Sequence, residues 1–196
     1  MVYSYSMENY PDLSKKKLSL ETPSLVLAHL REDQAETIFN AWASDFMVTR
    51  YLTWNPHKEV KETEKLLRHW MRDYEDPKNE RFGLYKKDNG ELIGMIDIVC
   101  FQKEDGCPAL GYVMKCSEWG HGYMTEALGA FTDYLFSLGY PRLHISAIKD
   151  NIGSNRVICK NGFRLVCSSL HPLGPCKKDV ILTRNDYVKD NPNLAK

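Results

Sequence analysis

Trp119-Gly120-His121-Gly122-Tyr123-Met124-Thr125-Glu126-Ala127 is the stretch on which the reading of this chain turns. Residues 109–114 upstream (Ala-Leu-Gly-Tyr-Val-Met) read as a strand. From Gly122 to Leu138 the apolar residues Met124, Ala127, Leu128, Phe131, Leu135 and Leu138 recur at helical spacing. Gly139 and Pro141 supply the stop signal. A strand therefore runs into a loop with two glycines one residue apart, and the loop opens directly into a helix. Successive backbone N–H groups at a helix N-terminus, with the positive end of the dipole behind them, suit a phosphate or pyrophosphate. Glycines let the backbone approach such a group without an obstructing Cβ. Taken alone, Gly-x-Gly is equally an ordinary tight turn. It is no P-loop, because Gly-Lys-Ser/Thr does not follow, and it lacks the third glycine of a dinucleotide fingerprint.

Outward from this stretch the elements alternate. Residues 25–30 read as a first strand, and Asp33 as the N-cap of a helix carrying Ala35, Ile38, Phe39 and Trp42. A second helix is expected over about 59–74, stopping near Pro77. Strands follow at about 81–87 and 92–101, joined by Asp88-Asn89-Gly90. Beyond the central helix come a strand at 143–148, a short helix at 154–160 ended by Asn161-Gly162, and strands at 163–168 and 180–183. This order predicts an α+β fold, a mixed sheet with helices on both faces. Residues 1–17 read as a loosely packed extension, 18–188 as the single domain and 189–196 as a tail.

Composition narrows the function. The chain has 196 residues, 43% hydrophobic and 27% charged, with 26 Lys+Arg against 26 Asp+Glu, and thus no formal net charge. A basic excess or stripe is missing, which argues against nucleic acid as partner. No run of about 18 apolar residues exists, so no membrane partner is expected. The first residues lack the basic-then-apolar pattern of a secretory signal. The six cysteines form no CxxC pair and no zinc-ligand cluster, so reduced thiols, no metal and a cytoplasmic location are expected. Cys116, beside the glycine loop, reads as a packed thiol like the rest.

A second segment sharpens the reading of the first. Residues 151–163 read Asn-Ile-Gly-Ser-Asn-Arg-Val-Ile-Cys-Lys-Asn-Gly-Phe, following a strand and forming a short helix. Asn151 by itself is a turn residue and Ser154 a helix cap. Together with WGHGYMTEA at 119–127, and with Leu110-Gly111-Tyr112 and Ile93-Gly94 upstream, the pair resembles the RimJ/RimL-like branch of the GNAT N-acetyltransferases. In that branch the two elements run approximately W-G-x-G-Y-x-T-E-A and N-x-x-S-x-x-V-x-x-x-x-G-F. The resemblance extends over about residues 18–188.

The resemblance implies a GNAT fold, with a mostly antiparallel sheet flanked by helices, and acetyl-coenzyme A as donor to a primary amine. It implies that backbone groups of Val113 and Met114 pair with the pantetheine arm. Amides of Trp119, Gly120, His121, Gly122, Tyr123, Met124 and Thr125 would hold the pyrophosphate, Asn151 would bond the pantetheine, and Asn155 would lie nearby. Ser154 is implied as general acid at the departing sulfur. Tyr51 and Trp54 are implied in the acceptor pocket, although scattered aromatics also read as core. Tyr112 either faces the acetyl group or packs in its strand, and Glu126 reads as structural.

Two departures qualify this. Ser117 begins the loop where many relatives have Gln or Arg. Ala109 stands where some RimL-like enzymes carry a glutamate base. Asp97 is a candidate replacement, though an exposed or bulged strand aspartate is the plainer reading. An α-amine of pKa about 7.7–8.0 is roughly a tenth neutral at pH 7, against about 0.04% for a lysine amine near 10.4. Without a base the expected acceptor is accordingly a protein N-terminus or a small-molecule α-amine. A polyamine or aminoglycoside acceptor, or a coenzyme A sensor without turnover, is the alternative. The chain is expected to be a monomer or homodimer.

Overall fold

The computed structural model describes residues 11–76 and 78–194. Most of the expected N-terminal extension, and the helix stop at Pro77, therefore lie outside the described residues. Eight strands form one sheet: β1 (Ser19–Glu21), β2 (Leu25–Ala28), β3 (Arg81–Lys86), β4 (Leu92–Phe101), β5 (Pro108–Met114), β6 (Arg142–Ile148), β7 (Arg164–Pro172) and β8 (Ile181–Asp190). Their spatial order is β1-β2-β3-β4-β5-β6-β8-β7. Every neighbouring pair is antiparallel except β5 with β6, which is parallel.

Among the described residues five α-helices cover the two faces: α1 (Ala35–Ile38), α2 (Phe46–Thr49), α3 (Val60–Asp73), α4 (Tyr123–Ser137) and α5 (Ile152–Lys160). On one face Phe82, Leu84, Ile96 and Leu110 pack against Met124, Leu128, Phe131 and Leu135 of α4. On the other, Met95 and Val113 pack with Ile38, Trp42 and Leu67. Burial from both sides explains why β4 reads as a near-continuous apolar run. The α+β sheet with helices on both faces is as expected.

Several boundaries move. The expected single helix from Asp33 is a 3₁₀ turn (Glu32–Gln34), then α1, then a π turn (Phe39–Ala43). Gln34, not Asp33, serves its start, accepting the Arg31 N–H at 2.8 Å. Ser44 closes the π turn through its N–H and hydroxyl on the Phe39 carbonyl. Asp45 then caps α2 by accepting from Met47 N–H (2.7 Å). The final strands are longer than their sequence signals, since the β7–β8 ladder runs from Arg164↔Val188 to Pro172↔Ile181. Hydrogen bonds also reach residues on either side of 18–188. Asp12 N–H reaches Leu138 O (2.7 Å), and buried Asn191 donates to the carbonyls of Phe136 and Tyr140. Among the described residues no helix is long and apolar enough to cross a membrane.

Candidate active site

The parallel junction makes the site. β5 and β6 pair only at Ala109↔His144 and Leu110↔Ile145. Beyond these, β5 continues against β4 to Met114 and β6 against β8 to Ile148, so their facing edges part. Lys115 N–H donates to Ile93 O (2.8 Å). By the two-residue alternation of an antiparallel ladder, Val113 likewise turns its N–H and C=O toward β4. Tyr112 and Met114 are left facing the split. Val113, expected to meet the donor through its backbone, lines the cleft, and this alternation turns that backbone to the sheet. The Met114 carbonyl is also occupied, accepting from the Trp119 indole N–H at 2.9 Å.

That indole bond fixes where the loop leaves β5. A 3₁₀ turn (Cys116–Glu118) follows, and then Gly120 and Gly122 adopt φ of 85° and 90°. Nothing lies within 4 Å of a Cβ built on either. The local demand for glycine is therefore the left-handed backbone, not crowding. Gly122 is the N-cap of α4, and the first-turn amides of Tyr123, Met124 and Thr125 have no intrahelical acceptor. Glu126 anchors this turn to the β1–β2 connection, its carboxylate accepting from the Thr22 hydroxyl and, at 2.7 Å, from Ser24 N–H.

A cleft of about 380 Å³ occupies the split. Tyr112, Val113 and Met114 line it from β5, and Trp119, Gly120, Gly122, Met124 and Thr125 from the loop and α4. Asn151 and Ser154 line it from α5, and Tyr51 from the segment after α2. The Tyr112 and Ser154 hydroxyls are 2.7 Å apart. Burial pushes the Tyr112 phenol well above its ordinary range, so it stays protonated and remains a donor. Asn151 Oδ1 accepts from Ser154 N–H (3.2 Å), which makes Asn151 rather than Ser154 the cap of α5.

The expected role of His121 lies in its backbone amide, and three further expected residues sit elsewhere. His121 is exposed and stacks on Tyr123 with centroids 5.9 Å apart; neither side chain lines the cleft. Asn155 is consumed by the scaffold: its amide donates to Ile148 O and Asn151 O, and its oxygen accepts from Tyr187 and Asn185. Trp54 packs with His57 and the core between α1 and α3, outside the cleft. Asp97 is 7% exposed and bonded to Arg81 Nε at 3.1 Å, with Arg81 also on Asp73 at 3.0 Å. Burial raises its carboxyl to about 6 against the opposing pull of Arg81. It does not line the cleft either.

Sequence reasoning missed Val48, Arg50 and Leu52 near α2 and Arg156, Val157 and Lys160 on α5, all of which line the cleft. A helical signal was available for the latter: Gly153, Arg156, Val157 and Lys160 stand at i, i+3, i+4 and i+7. No comparable pattern marks the irregular segment around Arg50.

Comparison with known proteins agrees with this geometry. Residues 24–164 match the family described as "Acetyltransferase (GNAT) domain". The N-acetyltransferase YoaA of Bacillus subtilis is 29% identical over 146 residues, covering 74% of this chain and 82% of YoaA. The ribosomal L7/L12 α-N-protein acetyltransferase RimL, solved in complex with coenzyme A, superposes with a TM-score of 0.75 at 18% identity, covering 88% of this chain and 97% of RimL. The ribosomal-protein-S5-alanine acetyltransferase of Vibrio fischeri gives 0.71 at 18% identity, covering 92% and 100%.

Proposed function

The chain belongs to the GNAT acetyltransferase family, and on that premise we propose that it moves an acetyl group from acetyl-coenzyme A to an α-amine, on a protein N-terminus or a small molecule. One observation carries the proposal: the split between β5 and β6, the Gly120–Gly122 turn and the Ser154 hydroxyl all open into one cleft.

The residues fit the donor. The first-turn amides of α4 and the two left-handed glycines form a concave run of N–H groups for a diphosphate. The backbone of Tyr112 and the N–H of Met114 face the split, where an extended amide-bearing arm adds like a strand. When bound, acetyl-coenzyme A supplies the thioester carbonyl that the neutral amine attacks. Holding the two reactants in one cleft is the largest contribution of the chain's own residues. When Tyr112 is the donor in its bond with the Ser154 hydroxyl, the Ser154 proton is free to point at the departing sulfur. A serine hydroxyl is far less acidic than a thiol, so Ser154 relays rather than surrenders a proton. The proton that ends on sulfur derives from the attacking nitrogen.

Among the described residues the lining of the cleft contains no Asp or Glu, and by the resemblance Ala109 stands where some relatives carry a glutamate base. The amine must then arrive neutral or lose its proton to water, which favours α-amines over lysine side chains. The reading is tested by calorimetry with coenzyme A and by thiol release with N-terminal peptides, small α-amines and lysine-bearing peptides. Absence of coenzyme A binding by folded protein refutes it, and turnover on lysine side chains alone refutes the acceptor assignment.

A further inference from the structure

Charge along the cleft has one sign. Among the described residues its charged lining side chains are Arg50, Arg156 and Lys160, with no carboxylate among them. The two on α5 lie toward the donor's phosphates: Asn161, next to Lys160, donates to Thr125 O at 3.2 Å, which sets the end of α5 beside the first turn of α4. Arg50 comes from the other half of the chain. It follows α2, and its guanidinium rests over the Tyr51 ring, 4.5 Å from the centroid. An aromatic face holds a guanidinium without neutralising it and leaves its in-plane N–H fork open. Among the described residues no carboxylate lies in ion-pair range of Arg50. Lys177 adds a cation at the preceding residue, its ammonium 2.7 Å from Thr49 O.

We propose that the acceptor is an amine bearing an anionic group, such as a carboxylate, a few bonds from the nitrogen, and that Arg50 is the residue that selects it. This rests on the acetyl-transfer reading above and narrows its substrate class. A guanidinium fork takes a carboxylate in a bidentate pair, fixing the direction of the attached amine. A polycation entering the same cleft meets like charges with nothing to compensate them. Either a free amino acid or a peptide with an acidic residue next to its N-terminus offers the required chemistry.

The test measures thiol release by the full chain with acetyl-coenzyme A on matched acceptors. One arm compares phenylalanine with phenylalaninamide, each rate expressed per neutral amine because the carboxylate raises the pKa of the adjacent amine. The other compares amidated peptides carrying Glu, Gln or Lys at the second position, with spermidine as the polycation. The acidic member of at least one pair is expected to have a kcat/KM about tenfold above its neutral partner, and the arm in which this occurs identifies the source of the anion. Arg50→Gln should bring that ratio near one, Arg50→Lys should keep part of it, and Arg50→Glu should invert it in favour of the Lys peptide. Equal rates for acid and neutral members in both arms, or a preference that survives Arg50→Gln, overturns the selection while leaving acetyl transfer intact. No release with any amine, together with no heat on adding coenzyme A, overturns both.

Discussion

The hydroxyls of Tyr112 on β5 and Ser154 on α5 are 2.7 Å apart across the cleft, and the same phenol reaches the Ser154 carbonyl at 3.2 Å. Two residues 42 positions apart, one on a strand and one on a helix, are thus joined at the place where the sheet divides.

If this pair serves one proton path, its members will not act independently. Ser154→Ala should lower kcat about 10- to 100-fold with coenzyme A affinity within about threefold of wild type. Tyr112→Phe should cost less, and the double variant little more than Ser154→Ala alone. Because burial raises the Tyr112 phenol, no tyrosine ionisation should appear in the kcat–pH profile up to about pH 10. Strictly additive losses in the cycle would separate the two hydroxyls.

The glycine turn makes a different prediction. With open space around both positions, the penalty at Gly120 or Gly122 arises from backbone handedness, about 1–2 kcal/mol for any L side chain. Gly120→Ala should bind coenzyme A roughly 5- to 30-fold more weakly, and Gly120→Glu should bind it no more than marginally, since it adds a negative charge beside the phosphates. Calorimetry on variants with unchanged far-ultraviolet circular dichroism decides this. Equal losses for Ala and Glu would remove the electrostatic part of the argument.

Glu126 ties the N-terminal end of α4 to the β1–β2 connection. Burial opposes its charge, but hydrogen bonds from Thr22 and Ser24 hold its carboxyl below the ordinary value of 4.5. Its contribution is therefore fully present above that value and is lost as pH falls through the lower folded-state value. Glu126→Gln should destabilise the fold by about 1–2 kcal/mol at pH 7, with a smaller difference from wild type at pH 3.5. Urea unfolding at the two pH values measures both.

Asp97 has the opposite sign. Its folded carboxyl holds a proton up to about 6, against an ordinary 3.8, so the native state binds that proton more tightly than the unfolded chain. Stability from this group falls as pH rises from about 4 to 6. Asp97→Asn should abolish that slope, and Arg81 retains Asp73 as partner in the variant. Turnover should stay within about threefold of wild type. A hundredfold loss of kcat rescued at high pH would instead make Asp97 the base.

Legibility followed the range of the interactions. The helix stripe at 122–138, the β4 run and the two glycines are local patterns, and each appears where the sequence places it. Asn155 carries the right residue type in the right motif. Whether its amide meets a ligand or the scaffold depends on Asn185 and Tyr187, about thirty residues away on β8. Asp97 is similar, because nothing in its strand announces Arg81 as partner across β3. The π turn at 39–43 keeps helical spacing while altering the hydrogen bonds, so periodicity reads it as plain helix. Arg50 follows a four-residue helix that carries no amphipathic signal.

Gly174, at the tip of the β7–β8 hairpin, lies so close to Thr53 that an added Cβ would fall 2.5 Å from the threonine Cβ. The hairpin tip also grips this segment through Lys177 on Thr49 and Asn55 on the Cys176 carbonyl. The far margin of the sheet is thereby clasped to the segment that carries Arg50 and Leu52 into the cleft. Engineering can use that clasp as a spacer: Gly174→Ala or Gly174→Val, remote from every reacting atom, would wedge the doorway wider and admit bulkier amines.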